Sequence, residues 1–352
     1  MCRKIGFVYD SKTEYLKKYR TYKKSFLNEL VAEFDTDETI SEIVYALSSA
    51  GHKVEMVGNV SNLLKSIIQG KRWDIVFNIA EGFCGRNRES QVPLLLELYK
   101  IPYIGSDALT MGLTMDKVLA KKVVSYHNIL TPDFVCIKNF SELKFLSKTV
   151  SDLHFPLFAK LSYEGSSKGL TKKSFIQNFP ELKKQTTFLL KRYKQPVIIE
   201  KFISGKEFTV VVMGNSGSKR FPITALPPVQ IVINDKKFLG NEFYTFDRVY
   251  NNETSYICPV EEKKFFVKQL QNIAEKIYEI LEVKDFGRID FRVDKNNRIY
   301  FLECNPLPHL GKIDLFPLVA QAMGITYEKL ILQIVEIAFD RYKFSAYQKF
   351  LK

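Results

Sequence analysis

Hydrophobic positions along the chain change period several times, and each change marks an element. Lys4 to Tyr9 form a short apolar run ending at Asp10-Ser11; Lys53 to Val57 and Asp74 to Phe77 are similar runs. These predict strands. Between the first two, Ile40, Ile43, Val44 and Leu47 recur at helical spacing until Gly51 can stop the helix, with Asp35 and Glu38 spaced much like a capping box. Residues 61 to 70 read as a second helix, so the order βαβαβ predicts an open α/β layer. The pattern changes near residue 113: Thr114-Met-Asp116-Lys117 opens an amphipathic helix and a strand begins after Thr131-Pro132. Later strands are expected around 156–160, 196–203, 208–213, 220–225 and 229–233. A long amphipathic helix is expected over 261–282, and closing helices over 315–323 and 328–342.

One pair of strands stands apart. Residues 287–293 and 298–304 flank the turn-rich Asp294-Lys-Asn-Asn297 and predict an antiparallel hairpin. Side chains alternate along a strand, so Arg288 and Asp290 share a face, as do Glu303 and Asn305. With an even number of turn residues those faces coincide, placing two carboxylates, an amide and a guanidinium on one wall. Oxygen ligands of this kind suit Mg²⁺. A solvated sheet face is the alternative, and the spacing leaves both open.

Three loops carry further chemistry. Asn78 to Gln91 is polar and glycine-punctuated, and follows a strand where open α/β sheets bind ligands. Lys160 is a lone lysine in the apolar run Pro156 to Lys160, and Glu164-Gly-Ser-Ser-Lys-Gly169 follows it. That loop offers backbone N–H groups and hydroxyls to phosphate oxygens but is not a Walker A loop. Pro196 to Ile203 ends abruptly in polar residues before Ser204-Gly-Lys-Glu207, a place for an adenine against Phe202 with a carboxylate on the ribose. Asn241 to Tyr250 mixes aromatic and charged residues as a lid would.

The bulk numbers bound the function. A chain of 352 residues, 46% hydrophobic and 26% charged, has room for roughly two or three globular domains. It shows neither an apolar run near ~18 residues nor a signal-peptide pattern, so no membrane association and a cytoplasmic location are expected. Five scattered cysteines and four scattered histidines argue against disulfides and against zinc. The net charge of +13 is spread over the whole chain, which disfavours nucleic acid and suits an anionic small molecule. The densest basic cluster, Lys12 to Lys24, is interleaved with Tyr15, Tyr19 and Tyr22 and reads as a solvated face.

Taken together, loop 78–91, the Met115-Asp-Lys117 helix start, Lys160 with Glu164 to Gly169, Val197 to Glu207, Phe243 to Cys258, Gly287 to Asp290, and Glu303-Cys-Asn305 through Leu315-Phe-Pro317 resemble the D-alanine–D-alanine ligase family of ATP-grasp enzymes. The matches are co-linear from Asp74 to the C-terminus. The resemblance implies a mixed α/β and α+β architecture, an ATP-grasp fold behind an N-terminal open α/β domain. Its divisions are expected at 1–113, 114–199 and 200–352. It implies ATP and a pair of Mg²⁺ ions, Mn²⁺ being an alternative, with small-molecule carboxylate and amine substrates and a homodimer as an open expectation. Lys117 and Lys160 would contact phosphates, with Glu164, Ser166 and Ser167 closing over them. Glu200, Lys201, Phe202 and Ile203 would hold adenine, and Glu207 the ribose. Asp290, Glu303 and Asn305 would hold the metal, and Arg288 would stabilise the tetrahedral intermediate. Tyr250 would pair with Ser166.

The departures concern the substrates. The family's N-terminal glutamate segment has no counterpart beside Asp10, where the Lys/Tyr-rich stretch stands. Glu81 replaces a histidine, Gly85-Arg86-Asn87-Arg88 stands for the usual Gly-Glu-Asp-Gly, and Val249 replaces a lid lysine, leaving Arg248 to take over its phosphate contact. Lys312 and Asp314 replace serines, and His309 replaces a glycine near Gly311. These residues are the candidates for binding substrate, and the three cations Arg86, Arg88 and Lys312 predict a substrate more acidic than alanine. Two narrower or rival readings are an authentic D-alanine–D-alanine ligase of cell-wall synthesis and a nucleotide-binding regulator without turnover.

Overall fold

The computed structural model describes residues 2–21, 29, 31–245, 248 and 253–344; Tyr250 and the end of the basic cluster lie outside them. The first sheet contains β1 (Lys4–Val8), β2 (Lys53–Gly58), β3 (Ile75–Asn78) and β4 (Tyr103–Ile104), all parallel in the order β2-β1-β3-β4. The helix Asp37–Ser49 lays Ile40, Ile43 and Leu47 on Ile5, Phe7 and Phe77. Phe316, Leu330 and Ile334 from the closing helices Phe316–Ala322 and Tyr327–Phe344 join that core, so the chain's end folds back onto its beginning. The helix Asp37–Ser49 starts differently from expectation. Thr36, not Asp35, is its N-cap, accepting from the N–H of Thr39, which leaves the Asp35 carboxylate free of capping.

The second sheet is antiparallel: β5 (Phe134–Ile137), β6 (Leu157–Leu161), β7 (Phe175–Ile176) and β8 (Val197–Lys201), in the order β5-β8-β6-β7. The helix Phe179–Tyr193 covers one face with Leu182, Leu189 and Leu190 packed on Leu157, Ala159 and Ile199. Because β6 alternates, Leu157, Ala159 and Leu161 serve that core while Phe158 and Lys160 turn to the other face.

The third sheet comprises β9 (Gly205–Gly214), β10 (Thr224–Ala225), β11 (Val229–Ile233), β12 (Thr254–Ile257), β13 (Asp285–Asp294) and β14 (Ile299–Asn305). Its order is β12-β11-β9-β13-β14, with β10 on β9. The helix Lys264–Ile280 buries Leu270 and Ile277 completely against Phe208, Val210, Ile289 and Phe291, and each such side chain contributes roughly 1.5–3 kcal/mol.

The hairpin of β13 and β14 forms as predicted, but not by an even turn. Val293 pairs with Ile299, leaving five residues between them, and that odd register would put Glu303 on the core side. A bulge at Leu302 corrects it: Phe291 still opposes Phe301, but Asp290 opposes Glu303 and Arg288 opposes Asn305. Phe301 and Cys304 are both buried while Leu302 and Glu303 both face the cleft, the mark of one residue too many for strict alternation.

Candidate active site

Strands β6 and β8 of the second sheet face β9, β13 and β14 of the third across a cleft of about 540 Å³. Lys117 and Lys160 line it, and a third lysine, Lys121, is buried next to the Glu200 that Lys160 pairs with. Lys160 Nζ lies 2.8 Å from Glu200 Oε1, and Lys121 Nζ lies 3.1 Å from Glu200 Oε2. Lys121 comes from the helix Lys117–Tyr126, is fully buried, and donates to Thr131 Oγ1 at 2.7 Å. Burial drops its ammonium to about 8 despite the pull of Glu200. Lys117, one turn earlier, donates to the Glu164 carbonyl at 2.6 Å and lies 3.2 Å from Glu303 Oε2. Burial opposes the charge on Lys160 too, yet Glu200 and Glu303 hold its ammonium above the usual value. Glu200, expected beside adenine, lines the cleft next to Lys201 and Phe202, with its carboxylate paired to Lys160 and Lys121. Lys121 escaped the sequence reading, although it sits four residues from Lys117 and hence on the same helix face.

The hairpin supplies the floor. Asp290 Oδ1 accepts from Thr209 Oγ1 at 2.5 Å and from Arg288 Nε at 3.0 Å; its Oδ2 accepts from Arg288 at 3.0 Å and from the Asn305 amide at 2.9 Å. Burial works against ionisation of Glu303, but Lys117, Lys160 and Arg288 outweigh it and bring its carboxyl down to about 2. Two carboxyl groups directly across a strand pair, beside an amide, are a donor set of the hard-oxygen type that Mg²⁺ takes.

The loop 164–169 is held by a residue the sequence reading passed over. Glu33 accepts from the N–H of Gly165, from Lys168 Nζ and from Arg88, each at 2.7 Å. Burial would raise its carboxyl, but Lys168 and Arg88 take it down to about 2. A Cβ at residue 165 would stand 2.7 Å from Glu33 Oε1, so a larger residue there would push that carboxylate aside. Ser166 and Ser167 follow with φ of 45° and 56°, consecutive left-handed residues that bend the loop over the cleft.

At the other end, Phe202 meets Phe175, Phe158 and Phe243 with ring centroids 4.9, 5.9 and 6.2 Å away, forming an apolar slot. Lys201 and Ile203 also line it. Glu207 faces the slot and pairs with Arg292 at 2.5 Å. Arg292 also donates to the carbonyls of Ile203 at 2.9 Å and Glu242 at 2.6 Å, and its guanidinium lies 5.3 Å from the centre of the Phe202 ring. This arginine ties β8's exit to β9 and the lid segment, and was not anticipated because it reads as an ordinary strand cation.

The substrate candidates separate. Glu81, His309 and Asp314 line the cleft, as do Glu89 and Asp35. Burial, and for Glu81 its neighbour Glu89, push both glutamate carboxyls up. Arg86, Arg88 and Lys312 do not line it. Arg86 pairs with Asp116 at 2.8 Å, Arg88 is buried between Glu33 and the Tyr163 carbonyl, and Lys312 is on the surface 2.8 Å from Glu328. The expectation of an acidic substrate rested on these three and loses its basis. Gly311 acts through packing, since a Cβ there would stand 2.5 Å from both Thr39 and His309. Arg248, expected to reach phosphate, is turned to Glu242 and lies 3.6 Å from Glu253, outside the cleft lining. Tyr250 cannot be placed beside Ser166, since it lies outside the described residues.

Comparison with known proteins accords with this geometry. Residues 122–336 match the family model described as the D-ala D-ala ligase C-terminus. The D-alanine–D-alanine ligase of Bordetella petrii is 32% identical over 294 residues, 83% of this chain and 84% of that one. That of Aquifex aeolicus is 33% identical over 298 residues, covering 85% and 94%. The crystal structure of the D-alanine–D-alanine ligase from Bacillus anthracis complexed with ATP superposes with a TM-score of 0.71 over 97% of this chain and 99% of that one at 23% identity, a likeness of fold. No single helix among the described residues is long and apolar enough to cross a membrane. The chain belongs to the D-alanine–D-alanine ligase family, and with its ATP-grasp fold it is an ATP-dependent ligase that forms a carbon–nitrogen bond.

Proposed function

We propose that this ligase joins a carboxylate to an amine through an acyl phosphate, releasing ADP and inorganic phosphate. The observation that carries the reading is the convergence of Lys117 and Lys160 on the cleft above the hairpin floor of Arg288, Asp290, Glu303 and Asn305. Cations for phosphate oxygens and oxygen donors for a metal thus meet across one cleft.

In this reading the adenine enters the Phe202 slot beside Lys201 and Ile203, and Glu207, oriented by Arg292, accepts from the ribose hydroxyls. Lys117 and Lys160 neutralise the phosphate oxygens, and the loop of Glu164, Ser166 and Ser167 excludes water above them. A donor carboxylate oxygen attacks the γ-phosphorus and ADP departs. The amine then attacks the acyl carbon, and Arg288 faces the oxyanion as it forms. Collapse expels phosphate, and the nitrogen loses its proton. Mg²⁺ held by Asp290, Glu303 and Asn305 would supply further charge neutralisation at the phosphates. Relatives named as D-alanine–D-alanine ligases support amino acids as substrates.

The test is a matrix of amino acids, amines and small acids incubated with ATP, Mg²⁺ and the purified protein. ADP release should require both a carboxylate and an amine, and mass spectrometry should find their condensation product. ADP without such a product, or no ADP with any pair, contradicts the reading.

A further inference from the structure

We propose that the recess formed by Asp35, His309 and Asp314 holds a second ammonium group on the amine substrate, so that the acceptor is a diamine-type compound; this rests on the ligase reading above. Asp35 is the observation that points to a ligand. Displaced from helix capping by Thr36, it lines the cleft with a side chain only 7% exposed. Its carboxylate accepts no hydrogen bond among the described residues. The nearest charged atom is His309 Nε2 at 3.5 Å, well beyond the ~2.7–2.9 Å of a charge-assisted bond. A buried carboxylate so placed gains from any donor delivered to it.

The surroundings select the kind of donor. His309 Nδ1 lies 3.6 Å from Asp314 Oδ2, so one imidazole stands between two carboxyl groups, and an ammonium delivered to Asp35 would favour its ionised form. Asp314 Oδ1 takes the Leu315 N–H at 2.7 Å, leaving Oδ2 for the recess. Tyr244 and Tyr256, their hydroxyls 3.3 Å apart, line the same cleft. An aromatic and anionic enclosure attracts ammonium and repels carboxylate. Lys12 also lines the cleft but is not paired with Asp35. Arg288, the group proposed to meet the oxyanion, lines the same cleft as Asp314 and His309. In the ligase reading the amine would be held within reach of that guanidinium.

The experiment is calorimetry on the full chain loaded with a non-hydrolysable ATP analogue and Mg²⁺, titrated with three four-carbon amines. 1,4-Diaminobutane, butylamine and 4-aminobutyrate differ only in presenting ammonium, methyl or carboxylate at the far end. The diamine should bind at least about ten-fold more tightly than butylamine, and 4-aminobutyrate most weakly. Asp35→Asn and, independently, Asp314→Asn should bring the diamine-to-butylamine ratio close to one, with nucleotide affinity reporting that each variant is folded. Equal affinity for diamine and butylamine, tighter binding of 4-aminobutyrate, or a ratio unchanged in both variants overturns the proposal. Those results leave the ligase reading standing wherever the substrate matrix still yields a condensation product. A matrix with no product overturns the ligase reading and this inference together.

Discussion

Asp290 and Glu303 face one another directly across β13 and β14, and they do so only because the bulge at Leu302 shifts the register by one residue. Without it Glu303 would point into the core beside Ile289, and the cleft would hold one carboxylate on its floor where it now holds two. The placement of a reactive group in this cleft depends on an irregularity of the sheet.

Glu303→Gln keeps the volume and removes the charge. ADP formation should fall by at least about 100-fold, while the far-ultraviolet circular dichroism spectrum is unchanged. Turnover near the wild-type rate would remove Glu303 from the metal set.

Lys160→Ala should weaken ATP binding about ten-fold or more by calorimetry, since the ammonium that faces the phosphates is lost. It also leaves Glu200 with only Lys121 as its buried counter-charge, so a lower melting temperature should accompany the loss. Unaltered ATP affinity would count against the phosphate role.

Arg292→Ala should destabilise the fold by about 3–5 kcal/mol in urea titration, because it strands the Glu207 carboxylate in a buried position. Arg292→Lys should recover little of this, since an ammonium cannot reach Glu207 and the carbonyls of Ile203 and Glu242 at once. Full rescue by lysine would mean that charge alone matters there.

Asp35 predicts a pH dependence in the free protein. Burial pushes its carboxyl up to about 7, His309 pulling against the rise and Asp10 adding to it. The folded value thus lies above the unfolded value of 3.8, so the native state binds the proton more tightly. The stabilisation is fully present below the unfolded value and is lost as pH rises through about 7. The unfolding free energy should fall between about pH 4 and about 7 and level off above, by a few kcal/mol at most, and Asp35→Asn should flatten that slope. An identical slope in the variant would assign the titration elsewhere.

How far the sequence could be read follows from where each signal is stored. Period-2 and helical patterning exposed the first sheet, the helix Lys264–Ile280 and the hairpin, since each buries a continuous apolar face. Lys160 was visible as a charge in an apolar strand. The bulge was legible in principle, in the three-residue spacing of the core residues Phe301 and Cys304, but the turn composition said nothing about register. Glu33 was passed over and Asp35 reads as a capping residue because their meaning comes from partners far away in sequence, Arg88, Lys168 and His309. The cations Arg86, Arg88 and Lys312 misled for the same reason. A charge read from sequence carries no information about Asp116, Glu33 or Glu328 waiting beside it.

The central claim, activation of a carboxylate by phosphoryl transfer, is tested most directly by oxygen-18. Amino acids labelled at both carboxylate oxygens are incubated with unlabelled ATP, Mg²⁺ and the protein, and the released phosphate is weighed by mass spectrometry. Attack of the carboxylate on the γ-phosphorus predicts one labelled oxygen in each phosphate released with product. Phosphate that emerges unlabelled while product forms would contradict the acyl phosphate, and with it the roles of Lys117, Lys160 and Arg288 in making and resolving it.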